Sequence, residues 1–150
     1  WPDLDVLMID MPPGTGDIQL TLAQRIPVTG AVIVTTPQNV ALMDATKGIE
    51  LFNRVQIPIM GVIENMSTHV CSNCGHEEQI FGTGGGDKLS EQYDIPLLGR
   101  LPLNAQIREN ADAGKPSVLA EDAAAASYIA IAEKIAQALP KAEKNQNRIF

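Results

Sequence analysis

Three apolar runs without polar alternation constrain this chain more than anything else in it: Val6-Leu7-Met8-Ile9 with Leu4 just before, Ala31-Val32-Ile33-Val34-Thr35-Thr36, and residues 57–63. A strand with one wet face alternates apolar and polar side chains. Runs that do not alternate read as strands buried on both faces, as in a parallel sheet with helices above and below it. Between the second and third runs, Leu42, Ala45, Ile49 and Phe52 fall at spacings of 3, 4 and 3, one apolar stripe for packing a helix on that sheet. Strand, helix, strand at this spacing calls for right-handed parallel crossovers. The expected fold is α/β: a doubly wound, mainly parallel sheet with flanking helices.

The remaining elements follow from local chemistry. Residues 18–23 read as a helix capped by Asp17 and ended before Pro27, and Asn39 is placed to cap the striped helix. A short helix is expected over residues 87–93 and a fourth strand over residues 95–101, interrupted by Gly99. Asn104 starts a helix carrying Ile107 and Ala111 that Gly114 and Pro116 stop. Ala124, Tyr128, Ile131, Ile135 and Leu139 stripe a last helix. One domain is expected over residues 1–139, with 140–150 a frayed tail. With 45% apolar residues and only 4% aromatic ones, the core has to be aliphatic. Lys and Arg total 11 against 18 Asp and Glu, a formal charge of −7 with no basic run, which argues against nucleic acid as a partner. No apolar run reaches the length of a membrane span and no secretory pattern opens the chain, so neither membrane insertion nor secretion is indicated and a reducing cytoplasm is the default.

Two stretches carry chemistry. The first is where the opening apolar run stops at Asp10. A carboxylate there would sit at the carboxyl end of a strand, the edge at which open α/β sheets place ligands. Pro12-Pro13 stiffens the turn behind it, and Gly14 and Gly16 lack the Cβ atoms that keep backbone N–H groups from an anion. An acid and a stripped loop in that order suit a Mg²⁺-bound polyphosphate; a ligand-free surface turn uses the same residues. The phosphate-cradling pattern Gly-x-x-x-x-Gly-Lys-[Ser/Thr] occurs nowhere in the sequence.

The second stretch is residues 66–86, a loop without clear periodicity that holds Cys71-Ser72-Asn73-Cys74-Gly75-His76, His69, and the cluster Gly82-Thr83-Gly84-Gly85-Gly86. Two thiols separated by two residues can aim at one ion while the N–H groups of the turn bond to the sulfurs. A pair supplies two of the four ligands that zinc or an iron–sulfur cluster takes, and the chain has no third cysteine. Either His69 and His76 complete a local zinc site, or a second copy of the chain supplies the other half across a two-fold axis, or the pair is a redox thiol couple.

The opening segment looks like the Walker B and switch II region of the deviant P-loop ATPases. Together with Gly61-Val62-Ile63-Glu64-Asn65-Met66-Ser67, followed by Cys71-x-x-Cys74-Gly75, it resembles the Mrp/ApbC family of iron–sulfur cluster carriers, a likeness running from about residue 5 to residue 139. That resemblance implies Asp10 as the acid that organises Mg²⁺ and the attacking water, and Gly14 as the switch glycine near the γ-phosphate. It implies Asn65 and the backbone at Pro102 as contacts of the adenine of ATP, and Cys71 and Cys74 as ligands of a [4Fe–4S] cluster at a homodimer interface. His69 and His76 are not ligands on this reading. The implied activity is an ATP-binding carrier that passes its cluster to apo-proteins. The missing phosphate loop implies the carboxyl-terminal portion of such a P-loop domain, incomplete at its N-terminus and a poor ATPase alone. Two rivals are a zinc-stabilised interaction module and a partition or septum-positioning ATPase; the latter finds little support in a final helix with few basic residues. Asn65 also reads as a strand-end turn residue, and Arg100 as a solvated surface charge.

Overall fold

A computed structural model of the chain describes residues 4–12, 16–120 and 123–140. In order these form α1 (Asp17–Arg25), β1 (Ala31–Thr35), α2 (Asn39–Arg54), β2 (Ile59–Glu64), β3 (His69–Val70), β4 (Glu77–Glu78), α3 (Gly85–Tyr93), β5 (Leu97–Arg100), α4 (Ala105–Asp112), a 3-10 turn (Ser117–Leu119) and α5 (Ala123–Ala138). Strands β1, β2 and β5 make a parallel sheet in that order, while β3 and β4 pair antiparallel as a separate hairpin.

Successive residues of a strand face opposite sides, and both sides of this sheet carry packed helices. On one side Ile33 and Val62 meet Ile49 of α2 and Leu89 of α3, with Leu42, Ala45 and Phe52 packed around them. The apolar stripe of α2 is therefore the face it turns to the sheet. On the other side Ile63, Leu98 and Leu101 meet Ile131 of α5, flanked by Tyr128 and Ile135. Helices on both faces are what the unalternated runs of β1 and β2 predict. Leu98 is the extra residue where the β2–β5 register shifts, and its carbonyl accepts a 2.6 Å hydrogen bond from Lys134 Nζ of α5.

Helix boundaries follow their caps with small differences. Asn104 caps α4 as expected, its Oδ1 accepting the Gln106 N–H at 2.8 Å. Asp17 is instead the first residue of α1, behind Gly16. Asn39 is the first residue of α2, behind Gln38.

The first expected strand is a correction. Residues 4–10 adopt no strand pairing, and their apolar side chains stand in solvent, Met8 at 71% exposure. The physical reason is that an unalternated apolar run reports where side chains would partition, whereas a strand also needs a neighbouring strand for its N–H and C=O groups. Nothing among the described residues pairs with this segment, and β1 has β2 on one side only. The frayed tail expected from residue 140 falls, from 141 on, outside the described residues.

Candidate functional site

The polar groups gather at the carboxyl end of the parallel sheet. There the register aligns Thr35 of β1 with Glu64 of β2 and Glu64 with Arg100 of β5. Past this row the chain continues from β2 into Asn65, whose N–H donates to the Thr35 carbonyl at 2.7 Å. Its side-chain Oδ1 accepts the Met66 N–H at 2.9 Å, and Met66 itself is at φ 55°, in the left-handed region. Asn65 thus behaves as a strand-end turn residue while its amide stays at the ligand edge of the sheet. Pro102 follows β5 at the same edge, between Leu101, whose N–H bonds the Glu64 carbonyl, and Leu103. The two residues expected at an adenine come from adjacent strand ends.

Residues 101–103 also hold the foot of the cysteine loop. Ser67 donates its N–H to the Leu101 carbonyl at 3.0 Å and its buried hydroxyl to the same oxygen at 3.1 Å. The Leu103 N–H donates to Thr68 at 2.8 Å, and the His69 Nδ1 lies 3.0 Å from the Leu103 carbonyl. The loop then rises as the hairpin, His69 opposite Glu78 and Val70 opposite Glu77. These strands are two residues long, too short to leave a period in the sequence.

At the hairpin tip, the Cys71 N–H donates to the His76 carbonyl and the Gly75 N–H to the Cys71 carbonyl, both at 2.9 Å. Gly75 sits at φ 70° with open space around it, a backbone turn that costs a residue with a Cβ roughly 1–2 kcal/mol. Closing the turn this way directs N–H groups at sulfur. The N–H of Cys74, then that of Asn73, then the Cys74 thiol hydrogen-bond to the Cys71 sulfur and lower its pKa from the usual thiol value, with desolvation opposing. Both cysteines are free thiols, Cys74 exposed. A thiolate cradled by amides is the donor set that soft cations and iron–sulfur clusters take, so the residues present fit such a group. The alkylation rate of Cys71 by iodoacetamide is accordingly expected to reach half its plateau at a lower pH than that of a cysteine in a short unstructured peptide measured alongside it. Mass spectrometry of the modified peptide across pH reads this; a half-rise at or above that of the reference peptide overturns it.

The histidines do not complete a site around one pair of thiols. Among the described residues no three His, Cys, Asp or Glu side chains gather where they could hold one metal ion. His69 is engaged with Leu103 instead.

Asp10 lies exposed in the unpaired segment and ends no strand. Gly14 lies outside the described residues. Just beyond it, the Gln19 amide of α1 donates to the Pro12 carbonyl at 2.8 Å, tying that helix to Pro12.

One group at this edge is not evident from the sequence motifs. Glu64 is 1% exposed; its Oε2 accepts the Gly86 N–H at 2.6 Å and its Oε1 lies 3.3 Å from Arg100 Nε. Arg100 in turn donates to Asp87. That hydrogen bond is the main reason the guanidinium holds its proton more tightly than usual; partial burial opposes it, and the charges of Asp87 and Glu64 add to it. Arg100 is therefore an ion-paired bridge rather than a solvated charge. The sequence signals were a carboxylate ending an apolar strand and a glycine pair opening a helix.

A parallel sheet with helices on both faces and its polar groups at the strand ends is a doubly wound α/β arrangement, and its likeness to solved and curated proteins places it in the P-loop NTPase class. A nucleotide-binding protein from Archaeoglobus fulgidus, solved in complex with ADP, superposes with a TM-score of 0.66 at 36% identity over 75% of this chain and 46% of that one. The septum site-determining protein MinD of Pyrococcus horikoshii, solved with Mg-ADP, gives 0.56 at 27% identity over 71% of this chain and 41% of its own. Within that class, the ParA family model described as NUBPL iron-transfer P-loop NTPase matches residues 1–138, and the chain belongs to that family. The iron–sulfur cluster carrier protein of Escherichia coli strain K12 is 59% identical over 141 residues, 93% of this chain and 38% of that protein. The mouse iron–sulfur cluster transfer protein NUBPL is 47% identical over 141 residues, 93% of this chain and 44% of its own length. The chain thus spans less than half the length of these relatives.

Proposed function

We propose that the whole protein carrying this sequence is a nucleotide-dependent iron–sulfur cluster carrier. Cys71 and Cys74 of one copy and the same pair of a second copy hold a [4Fe–4S] cluster as cargo between them, and the homodimer passes it to apo-proteins. The observation that carries this reading is the cysteine hairpin, a pair of free thiols at an exposed tip with backbone N–H groups turned onto the Cys71 sulfur. It offers two ligands and gathers no third among the described residues, so a four-ligand cargo needs a second copy. The E. coli and mouse relatives, named for carrying and transferring such clusters, support it.

ATP with Mg²⁺ is the nucleotide we propose, held at the carboxyl edge of the sheet. Asn65 offers adenine an amide donor and the second lone pair of its Oδ1, and the backbone at Pro102 would lie against the ring. Asp10 and Gly14 would serve the metal, the attacking water and the terminal phosphate, and the α- and β-phosphate loop would come from elsewhere in the protein. Exposed free thiols of this kind persist in a reducing compartment, by default the cytoplasm.

The test is anaerobic reconstitution of the whole protein with iron and sulfide, read as metal content and oligomer mass. About four irons and four sulfides per dimer are expected for a shared cluster. One tightly held zinc per chain, indifferent to iron, would instead make the hairpin a structural staple and the protein a zinc-stabilised interaction module.

A further inference from the structure

Glu64 has no part in the nucleotide or cluster chemistry above, yet it is the one buried ionisable side chain among the described residues. A carboxylate taken out of water is costly unless it is paired and hydrogen-bonded, and an apolar residue would fill the space at least as stably. What the charge provides is a defined connection. Its Oε2 takes the Gly86 N–H in the first turn of α3, where the helix dipole favours an anion. Its Oε1 faces Arg100 at the end of β5, and Arg100 closes the ring by donating to Asp87 of α3.

The location of this ring gives it a function. The cysteine loop leaves the sheet at Asn65, the residue after Glu64, and returns to it at α3, where Gly86 and Asp87 lie. The ring therefore ties together the two ends of the loop that carries Cys71 and Cys74. It also fixes Arg100, the residue immediately before the 101–103 segment that holds Ser67 and His69 from the other side. A displacement of that segment by a nucleotide base at Pro102 moves the hairpin in a defined direction only if the far foot of the loop, on α3, stays in place.

We infer that Glu64 is a positioning residue: held by Gly86 and Arg100, its carboxylate locks both feet of the cysteine loop, so that a change at the Asn65–Pro102 edge alters the geometry presented by Cys71 and Cys74. This rests on the carrier reading above. Coupling of this kind requires two arrangements that nucleotide binds unequally, and Glu64 is the element that holds the α3 foot in place while the loop passes between them.

The experiment uses the whole protein with its reconstituted cluster and reads the rate at which an iron chelator extracts iron, with and without Mg-ATP. Cluster absorbance and Mg-ATP affinity are measured alongside. Glu64→Gln keeps an acceptor for the Gly86 N–H and removes the charge that holds Arg100. It is expected to bind cluster and Mg-ATP as the wild type does and to lose the effect of Mg-ATP on extraction. Arg100→Met breaks the same link from a side chain that is 46% exposed, and gives the same loss should the Gln variant not fold. Variants that are less stable yet keep the wild-type nucleotide effect make Glu64 merely structural and overturn the inference alone. A wild type that takes up no cluster, or whose extraction ignores Mg-ATP, brings down the carrier reading and this inference with it.

Discussion

Serine at both Cys71 and Cys74 is expected to abolish iron and sulfide uptake while leaving the fold and its thermal midpoint in place. The two halves of that expectation have separate causes. The hairpin tip buries nothing of the core: neither cysteine belongs to the Ile33–Val62 or Ile63–Leu98 clusters, and the bonds that close the turn run through the Cys71 N–H and carbonyl, which serine keeps. The ligand set, by contrast, vanishes. A hydroxyl is a hard, protonated donor at neutral pH, and soft metal sites select thiolate. Single substitutions leave one thiol per copy, two across a dimer, and are expected to hold clusters poorly rather than not at all. Iron and sulfide analysis with circular dichroism reads both halves. Full cluster content in the double variant would place the cargo elsewhere and remove the hairpin from the mechanism.

Gly86→Ala is expected to destabilise the fold by about 1–3 kcal/mol, the usual cost of forcing an extra methyl into a filled space. A Cβ there would meet Leu97 Cδ1 at 2.8 Å and Glu64 Cβ at 3.1 Å. The first is a side-chain tip that can turn; the second belongs to a buried side chain held at its far end. Relief means backing α3 away from β2, which lengthens the 2.6 Å bond from Gly86 N–H to Glu64. The loss should appear as a lower denaturant midpoint at unchanged slope. Gly85 is confined in the same way, its Cβ position 2.9 Å from Pro37 Cα, so the glycine pair lets the start of α3 approach two strand ends at once. An unchanged midpoint would mean that α3 has room this packing denies it.

The sequence made the sheet legible where side-chain partition and backbone pairing agree. In β2 the unalternated run is covered on both faces, in β1 it is covered except at Val34, and the stripe of α2 lies on the core as its spacing requires. They part company at residues 4–10, where the pattern is as apolar as in β1 but no strand among the described residues lies beside it. The cysteine pair was legible as a motif, and its hairpin was not, because two-residue strands carry no period. Asn65 and Pro102 come to the same edge because they follow adjacent strands, a relation that depends on strand order rather than on spacing along the chain. The Glu64–Arg100–Asp87 ring was the least visible. Its members are separated by 13 to 36 positions, and only the close approach of a glycine-led helix brings them together.

One feature of the sheet bears on every size measurement made with this sequence. Among the described residues, strand β1 has no partner on the side away from β2 and offers an open row of amides and carbonyls there, Val34 on it is 59% exposed, and residues 4–9 add further bare apolar surface. Such an edge is a template on which another chain can zip, and apolar surface beside it favours clumping. Handled alone, this stretch of sequence should grow stickier with concentration for reasons unconnected with metal. Dimer mass therefore identifies a shared cargo only when it appears with iron and disappears with the thiols; association that survives serine at both positions belongs to the edge of β1.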